Sequence, residues 1–320
     1  MLKLIADSGS TKTDWVMLSD MGKMLATCHS QGLNPYHLSG EEISQVLCGV
    51  RASLLEQVEE VPVVSKNQLA IYFYGSGVTD TMAPKMERLL VEVFSDTASS
   101  GSRAWMEVKA CATSDMLGAA RALCGHQSGI AVILGTGSNS CWYDGKQMLK
   151  SVPPLGYILG DEGSGTAIGK AFLRLIFRCP EASRLKEKFI QWSGMDYAAI
   201  IDRVYRQPLA NRFLASISTF VGETLEGKNV PSSVACSYEE LERDRQVLGK
   251  MVQHVYDDFC AQVLSFYQKG ENEILQVGFV GSIAYYFRDY IAAALRVSGF
   301  EMGEVLKSPL EGLVRYHGEE

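Results

Sequence analysis

No two cysteines in this chain lie within four residues of each other. The eight are Cys28, Cys48, Cys111, Cys124, Cys141, Cys179, Cys236 and Cys260. That spacing excludes a CxxC redox pair and the usual close-spaced zinc knuckles. No apolar run approaches the roughly 20 residues a membrane span needs. The apolar stretch at the start, Met1-Leu2-Lys3-Leu4-Ile5-Ala6, is far too short for a signal peptide. The cysteines therefore read as reduced, mostly buried thiols, and a cytoplasmic protein is expected. Long basic runs are absent too. With 30 Lys and Arg against 37 Asp and Glu, the formal net charge is -7. Neither nucleic acid nor an anionic membrane surface is the expected partner.

Several catalytic signatures are missing as well. The chain has no GxGxxG after a strand, no GxSxG elbow and no HExxH. His29, His37, His126, His254 and His317 are scattered, and each reads as an ordinary surface or core residue. Ser164-Gly165-Thr166-Ala167-Ile168-Gly169-Lys170-Ala171 looks like a Walker A loop, but its first glycine and its final Ser/Thr are wrong.

What is present is a chain of 320 residues, 47% hydrophobic, enough for a sizeable core and about two domains. Residues 2–6, 14–18 and 23–29 read as a three-strand meander. Residues 130–134, 138–143 and 147–152 read as another, with Asp144-Gly145 as a hairpin turn. The two align. Asp7-Ser8-Gly9-Ser10-Thr11 faces Gly135-Thr136-Gly137-Ser138-Asn139, and Trp15 and Trp142 follow. Gly22-Lys23-Met24-Leu25 matches Gly145-Lys146-Gln147-Met148-Leu149. This suggests an ancient duplication. Strands at 69–74, 104–109 and 275–280 and helices at 84–94, 114–123, 166–177, 197–204, 210–221, 243–268 and 284–297 complete the pattern. The class is α/β, with mixed sheets covered by helices. The junction falls at 124–129, which separates a domain 1–123 from a domain 129–320 with a helical insertion. The final segment is left able to pack back on the first domain.

Asp7, Gly9, Ser10, Thr11, Lys12 and Thr13 form a DxGxT loop at the end of the first strand. Small residues let a backbone approach phosphates, and successive N–H groups make an anion nest. A carboxylate there can hold Mg²⁺ through water; an Asx turn would use the same residues. The loop Gly135, Thr136, Gly137 supplies a second nest. Asp115 opens a helix after a strand, as either a base for an acceptor hydroxyl or a first-turn acid. Gly160-Asp161-Glu162-Gly163-Ser164 sets two acids in a turn that suits either sugar hydroxyls or a helix start. Asn34, in Gly32-Leu33-Asn34-Pro35, presents an amide that both donates and accepts.

Together these motifs resemble the BadF/BadG/BcrA/BcrD-type ATPase family, and within it the N-acetylglucosamine kinases. The match runs through residues 7–13, Asn34, residues 113–118, Gly135-Thr136-Gly137-Ser138-Asn139, residues 160–164 and Val280-Gly281-Ser282. The resemblance implies the two-domain actin-like ATPase (ribonuclease H-like) fold. It comprises duplicated βββαβαβα-type domains with a cleft between them. It also implies a kinase using ATP and Mg²⁺ on a small-molecule sugar. Asp7 would serve the metal, and Thr11 and Thr136 the phosphates. Ala215, Gly281 and Ser282 would lie near adenosine. Asn34, Ser138, Asn139 and Asp161 would bind the sugar, with Asp115 as base. Leu155, followed by Gly156, stands where the family's N-acetylglucosamine kinases place a tryptophan against the acetamido group. The same family holds iron–sulfur ATPases that activate radical-type dehydratases, a different expected activity. A non-catalytic sugar sensor is a third reading, disfavoured by a first strand beginning at residue 2 and by the acidic charge. A homodimer is compatible with all three.

Overall fold

The computed structural model describes residues 1–9, 11–58, 68–95, 105, 107–228, 238–267 and 276–318. Its backbone divides into two compact units. One holds residues 1–128, 143–148 and 308–320, and the other holds 129–142 and 149–307.

In the first unit, the meander is β1 (Leu2–Ser8), β2 (Lys12–Leu18) and β3 (Met24–Gln31). Then come α1 (Gly40–Val58), β4 (Gln68–Gly75), α2 (Ala83–Ser95), β5 (Glu107–Ser114) and α3 (Asp115–Cys124). The sheet order is β3-β2-β1-β4-β5. The meander pairs antiparallel, whereas β1–β4 and β4–β5 are parallel because a helix or long segment returns the chain each time. Leu4, Trp15, Ile71 and Phe73 of the sheet meet Leu47, Leu54 and Leu90 of the helices in one apolar core.

The second unit repeats the plan with β6 (Gly129–Leu134), β7 (Ser138–Tyr143) and β8 (Met148–Val152). A helical stretch follows: α4 (Gly156–Leu159), α5 (Gly165–Arg178), α6 (Ser183–Ser193), α7 (Tyr197–Tyr205), α8 (Ala210–Leu225) and α9 (Tyr238–Gln262). The unit then continues with β9 (Gln276–Val280), α10 (Ser282–Tyr286), α11 (Arg288–Val297) and β10 (Glu301–Leu306). Its order, β10-β9-β6-β7-β8, is that of the first sheet with corresponding strands in corresponding places. The duplication read from the sequence is present in the topology. Its core is aromatic, with Phe172, Phe189 and Phe220 packed edge to face or tilted at 5.1–5.4 Å.

Helix α12 (Leu310–Gly318) belongs to the first unit. Its His317 stacks on Tyr72 at 3.9 Å and lies 2.8 Å, Nε2 to hydroxyl, from Tyr74. Lys3 Nζ donates to the His317 carbonyl at 2.6 Å, and Arg121 donates to the Tyr74 hydroxyl at 2.8 Å. The histidine read as ordinary is a fully packed one.

Some expectations shift. The strand expected at 104–109 is β5, at Glu107–Ser114, because parallel register with β4 from Gln68↔Glu107 to Gly75↔Ser114 decides its span. Ala104 and Met106 lie outside the described residues, as do Leu275 and Gln268 of two other expected elements. The helix expected at 284–297 is broken at Phe287, whose ring is buried and whose backbone leaves helical geometry at φ -106, ψ 17. Helices α1, α4, α6 and α12 and strand β10 lie outside the expected elements. Among the described residues no helix is long and apolar enough to cross a membrane.

Helices α5 and α8 cross so closely that a Cβ on Gly169 would stand 2.0 Å from the Leu214 carbonyl oxygen. Gly169→Ala should therefore destabilise the protein by roughly 1–3 kcal/mol through overpacking. Gly49 of α1 is exposed and has open space around it. Gly49→Ala should stabilise by up to about 1 kcal/mol. Urea unfolding of the two variants beside the parent checks both signs.

Candidate functional site

In the first unit the DxGxT loop joins β1 to β2, and hydroxyls hold it. Ser8 Oγ and Thr13 Oγ1 lie 2.8 Å apart, Thr13 donates to the Gln31 carbonyl at 2.9 Å, and the Leu33 N–H donates to Ser8 Oγ at 3.0 Å. This ladder ties the turn carrying Asn34 to the loop. It also occupies the Thr13 hydroxyl, leaving that residue only its backbone to offer a ligand. Thr11 is exposed and its carbonyl accepts from Gly32 N at 3.0 Å. Gly9 lies at the start of the turn, and Ser10 lies outside the described residues. The Asn34 Oδ1 accepts from Tyr36 N at 2.9 Å, so its amide nitrogen is the side it presents.

Asp7 and Asp14 are register partners across β1 and β2. Asp14 is held by Lys12 at 2.8 Å and His29 at 2.6 Å. Among the described residues Asp7 has no such partner. Burial pushes its carboxyl up to about 7, and the negative charges of Asp115 and Asp14 add to the rise against a small opposing pull from Lys12. Asp115 is the first residue of α3, whose cap is Ser114, accepting from Leu117 N at 3.3 Å. Burial raises the Asp115 carboxyl, while its own N–H and that of Met116 hold it down. Beside it, the buried Thr113 hydroxyl has no partner among the described residues.

In the second unit the β6–β7 loop is clamped by the start of α5. Gly165 N donates to the Gly135 carbonyl at 2.9 Å, and Thr166 N to the Thr136 carbonyl at 3.2 Å, with the Thr166 hydroxyl on the same oxygen. Ser138 N donates to Asp161 Oδ1 at 3.2 Å. Gly137 is required there, since a Cβ would meet the Asp161 carboxylate at 2.9 Å. Asp161 is 8% exposed and adopts φ 57, a conformation that non-glycine residues rarely take. Its N–H donates to the Pro154 carbonyl at 2.9 Å. Burial raises its carboxyl, opposed by the Ser138 N–H and by Lys170. Asn139 turns its Oδ1 onto Ser140 N at 2.9 Å.

Leu155 also adopts φ 59 and is 63% exposed, with Gly156 at φ 72 after it. Ala215 and Ile283 both approach Gly165 beside the Gly135 carbonyl. Gly281 donates to the Leu306 carbonyl at 2.9 Å, and Ser282 opens α10. The structure thus brings Gly135, Thr136, Gly137, Ser138 and Asp161 together, with Ala215 and Ile283 against the same helix start and Gly281 against Leu134 at the end of β6. Thr166 was not singled out; its place just inside a capped helix N-terminus was the signal available.

No family model matches the chain, and no curated protein does. Solved structures do. The candidate N-acetylglucosamine kinase from Porphyromonas gingivalis is 35% identical over 99% of both chains, with a TM-score of 0.77. A candidate N-acetylglucosamine kinase from Chromobacterium violaceum is 18% identical over 98% of both, at 0.61. The ROK family glucokinase from Streptomyces griseus, solved with glucose and AMPPNP, is 14% identical over 99% of this chain and 98% of its own, at 0.52. Those last two share the fold. Paired five-stranded sheets of one order, each meander opened by a small-residue loop, define a two-domain α/β protein of the actin-like ATPase fold. On full-length identity with the Porphyromonas protein, the chain belongs to the N-acetylglucosamine kinase-like family of that fold.

A carboxyl lifted from 3.8 to about 7 means that the folded protein holds a proton the unfolded chain releases. Stability from this group is therefore full below pH 4 and is lost as pH rises through 7. In metal-free buffer, Asp7→Asn should raise the thermal midpoint at pH 8 by roughly 2–4 °C or more. At pH 5, where only part of that stability has been lost, the rise should be clearly smaller. Scanning calorimetry at the two pH values measures the difference.

Proposed function

We propose that this protein is an ATP-dependent sugar kinase whose acceptor is an amino sugar, N-acetylglucosamine or a close relative. One observation carries the reading most: Asp115, a part-buried carboxyl at a helix start, stands close enough to Asp7 for its charge to raise the Asp7 carboxyl. Family membership through a relative that shares the whole chain supports the same activity. A sugar hydroxyl is a poor nucleophile at neutral pH, so a positioned base is needed. Asp115 takes the hydroxyl proton as that oxygen bonds the γ-phosphorus and the bond to the β-phosphate oxygen breaks. A raised carboxyl is a stronger base than an ordinary one, which suits this task.

Backbone N–H groups of Gly9 and Thr11, and separately those of Thr136 and Gly137, would serve phosphate oxygens, the Gly135 N–H being engaged by the Gly137 carbonyl at 3.0 Å. Ser138, Asn139 and Asp161 would supply hydrogen bonds for sugar hydroxyls. Ala215, Gly281 and Ser282 border the adenosine. Among the described residues no group of three or more His, Cys, Asp or Glu could hold a metal ion alone. The excess negative charge around Asp7 nonetheless fits Mg²⁺ bound through water, as is usual where phosphates complete the shell. Bound there, Mg²⁺ would neutralise phosphate charge. The free cysteines among the described residues suit a cytoplasmic enzyme.

A coupled ADP-release assay over glucose, glucosamine, N-acetylglucosamine and N-acetylmannosamine tests the reading. N-acetylglucosamine should be accepted, and silence across the panel overturns the proposal. Asp115→Asn should lower kcat about 10²-fold or more while ATP affinity by calorimetry stays near that of the parent. Near-parental turnover would shift the role of base to Asp161. Leu155 is exposed and sits on a turn with room for a larger ring. Leu155→Trp should raise the kcat/KM ratio of N-acetylglucosamine over glucose, and an unmoved ratio would remove Leu155 from the pocket.

A further inference from the structure

The second unit contains a groove of about 930 Å³ that none of the residues assigned to nucleotide or sugar above lines. Its walls are α4, α5, α6 and α7. Its floor is apolar and aromatic, with Leu173, Phe177, Tyr197, Ile200, Val204 and Leu214. Four basic side chains enter it, Lys170, Arg174, Arg178 and Lys186, and among the described residues no acidic one. That segregation is pronounced in a chain whose net charge is -7. Three of the four fall at i, i+4 and i+8 on α5, so one helix face carries them as a row. Their charges are felt locally. After burial, the largest influence lowering the Lys170 ammonium is Arg174.

The four are not equivalent. Lys170 and Arg174 also line a neighbouring cavity of about 260 Å³ that contains Glu162 and Asp258. Lys170 further donates to the Tyr157 and Gly160 carbonyls at 2.6 and 3.3 Å. These two therefore have work on the other side. Arg178 is exposed, and Lys186 lies over the Phe177 ring at 5.2 Å. Among the described residues neither pairs with a carboxylate, so both remain for a ligand.

Pockets of this size, mostly apolar with a few polar groups that fix orientation, are the usual form of a small-molecule site. We propose that this groove is a second ligand site, which takes an amphipathic organic carboxylate. The alkyl body lies on the Phe177, Tyr197 and Ile200 floor, and the carboxylate reaches Arg178 and Lys186. A charge-assisted hydrogen bond to guanidinium or ammonium at a half-dry site orients the head group. Apolar contact along the floor supplies most of the affinity. The proposal is independent of the reaction assigned to the other site.

The test is calorimetric titration of decanoate, below its micellar concentration, into the full chain. One saturable site is expected, and decyltrimethylammonium, with the same alkyl body and opposite charge, should not fill it. The double variant Arg178→Ala/Lys186→Ala should bind decanoate roughly tenfold more weakly, or worse, the scale of one lost charge-assisted bond. Its thermal midpoint should match the parent, as both side chains sit at the rim. Absence of saturable binding overturns the proposal. So does equal binding by the double variant, or equal binding of the cation. Sedimentation that reveals a dimer dissociated by Ile201→Asp overturns it too, because a second copy would then cover the groove.

Discussion

The geometry of the second unit's loop hangs on how the first turn of α5 meets the end of β6. A helix N-terminus has N–H groups with no intrahelical acceptor. Here two of them, on Gly165 and Thr166, are satisfied by the carbonyls of Gly135 and Thr136. That exchange settles several matters at once. It turns those carbonyls toward the helix, and so leaves the loop's own N–H groups facing elsewhere. It draws Ser164 into the cap position, where its hydroxyl accepts from Ala167 N at 3.2 Å. It also fixes the turn ahead of the cap, so Asp161 takes a left-handed backbone and places its carboxylate under the Ser138 N–H. A change at any of these points would be felt at the others.

The first unit solves the same problem by a different device. Its loop is held by side-chain hydroxyls, Ser8 to Thr13 and on to the backbone of Gln31 and Leu33, and no helix start is involved. The meander is common to both halves, whereas the lock is not. The end of β1 is left carrying a carboxylate that no cation pairs among the described residues. Asp7 is therefore an electrostatic burden on the folded chain, with Asp14 already claimed by Lys12 and His29. Buried carboxylates without partners are retained where their charge is used.

The sequence made the meanders legible because alternating apolar strands, two small-residue loops and a repeated Gly-Lys turn are local signals. The candidate residues of both loops were legible for the same reason. Other features depend on contacts distant in sequence. β5 has mixed polarity along Glu107–Ser114, and its span is set by pairing with β4. The break at Phe287 follows from the burial of one ring, and a helical periodicity runs straight through it. α12 carries its meaning in His317, which stacks on Tyr72 and meets Tyr74 across more than two hundred residues of chain. The engagement of the Thr13 hydroxyl by Gln31 is likewise visible only in the fold.

The helices inserted between β8 and β9 mark the deepest departure from duplication. Nothing in the first unit corresponds to α5 through α9 as a group. Part of this insertion is structural, since the aromatic cluster of Phe172, Phe189 and Phe220 needs α5, α6 and α8 to enclose it. Another part is not. α7 has Tyr197, Ile201 and Tyr205 exposed on a helix with only Ile200 buried, an arrangement that core packing does not require. Apolar side chains left in water lose about 25 cal/mol for each Å² they could have buried. A helix that holds this surface against a row of α5 cations is best understood by what the groove receives. In this way one insertion encloses a core on one side and offers a binding surface on the other.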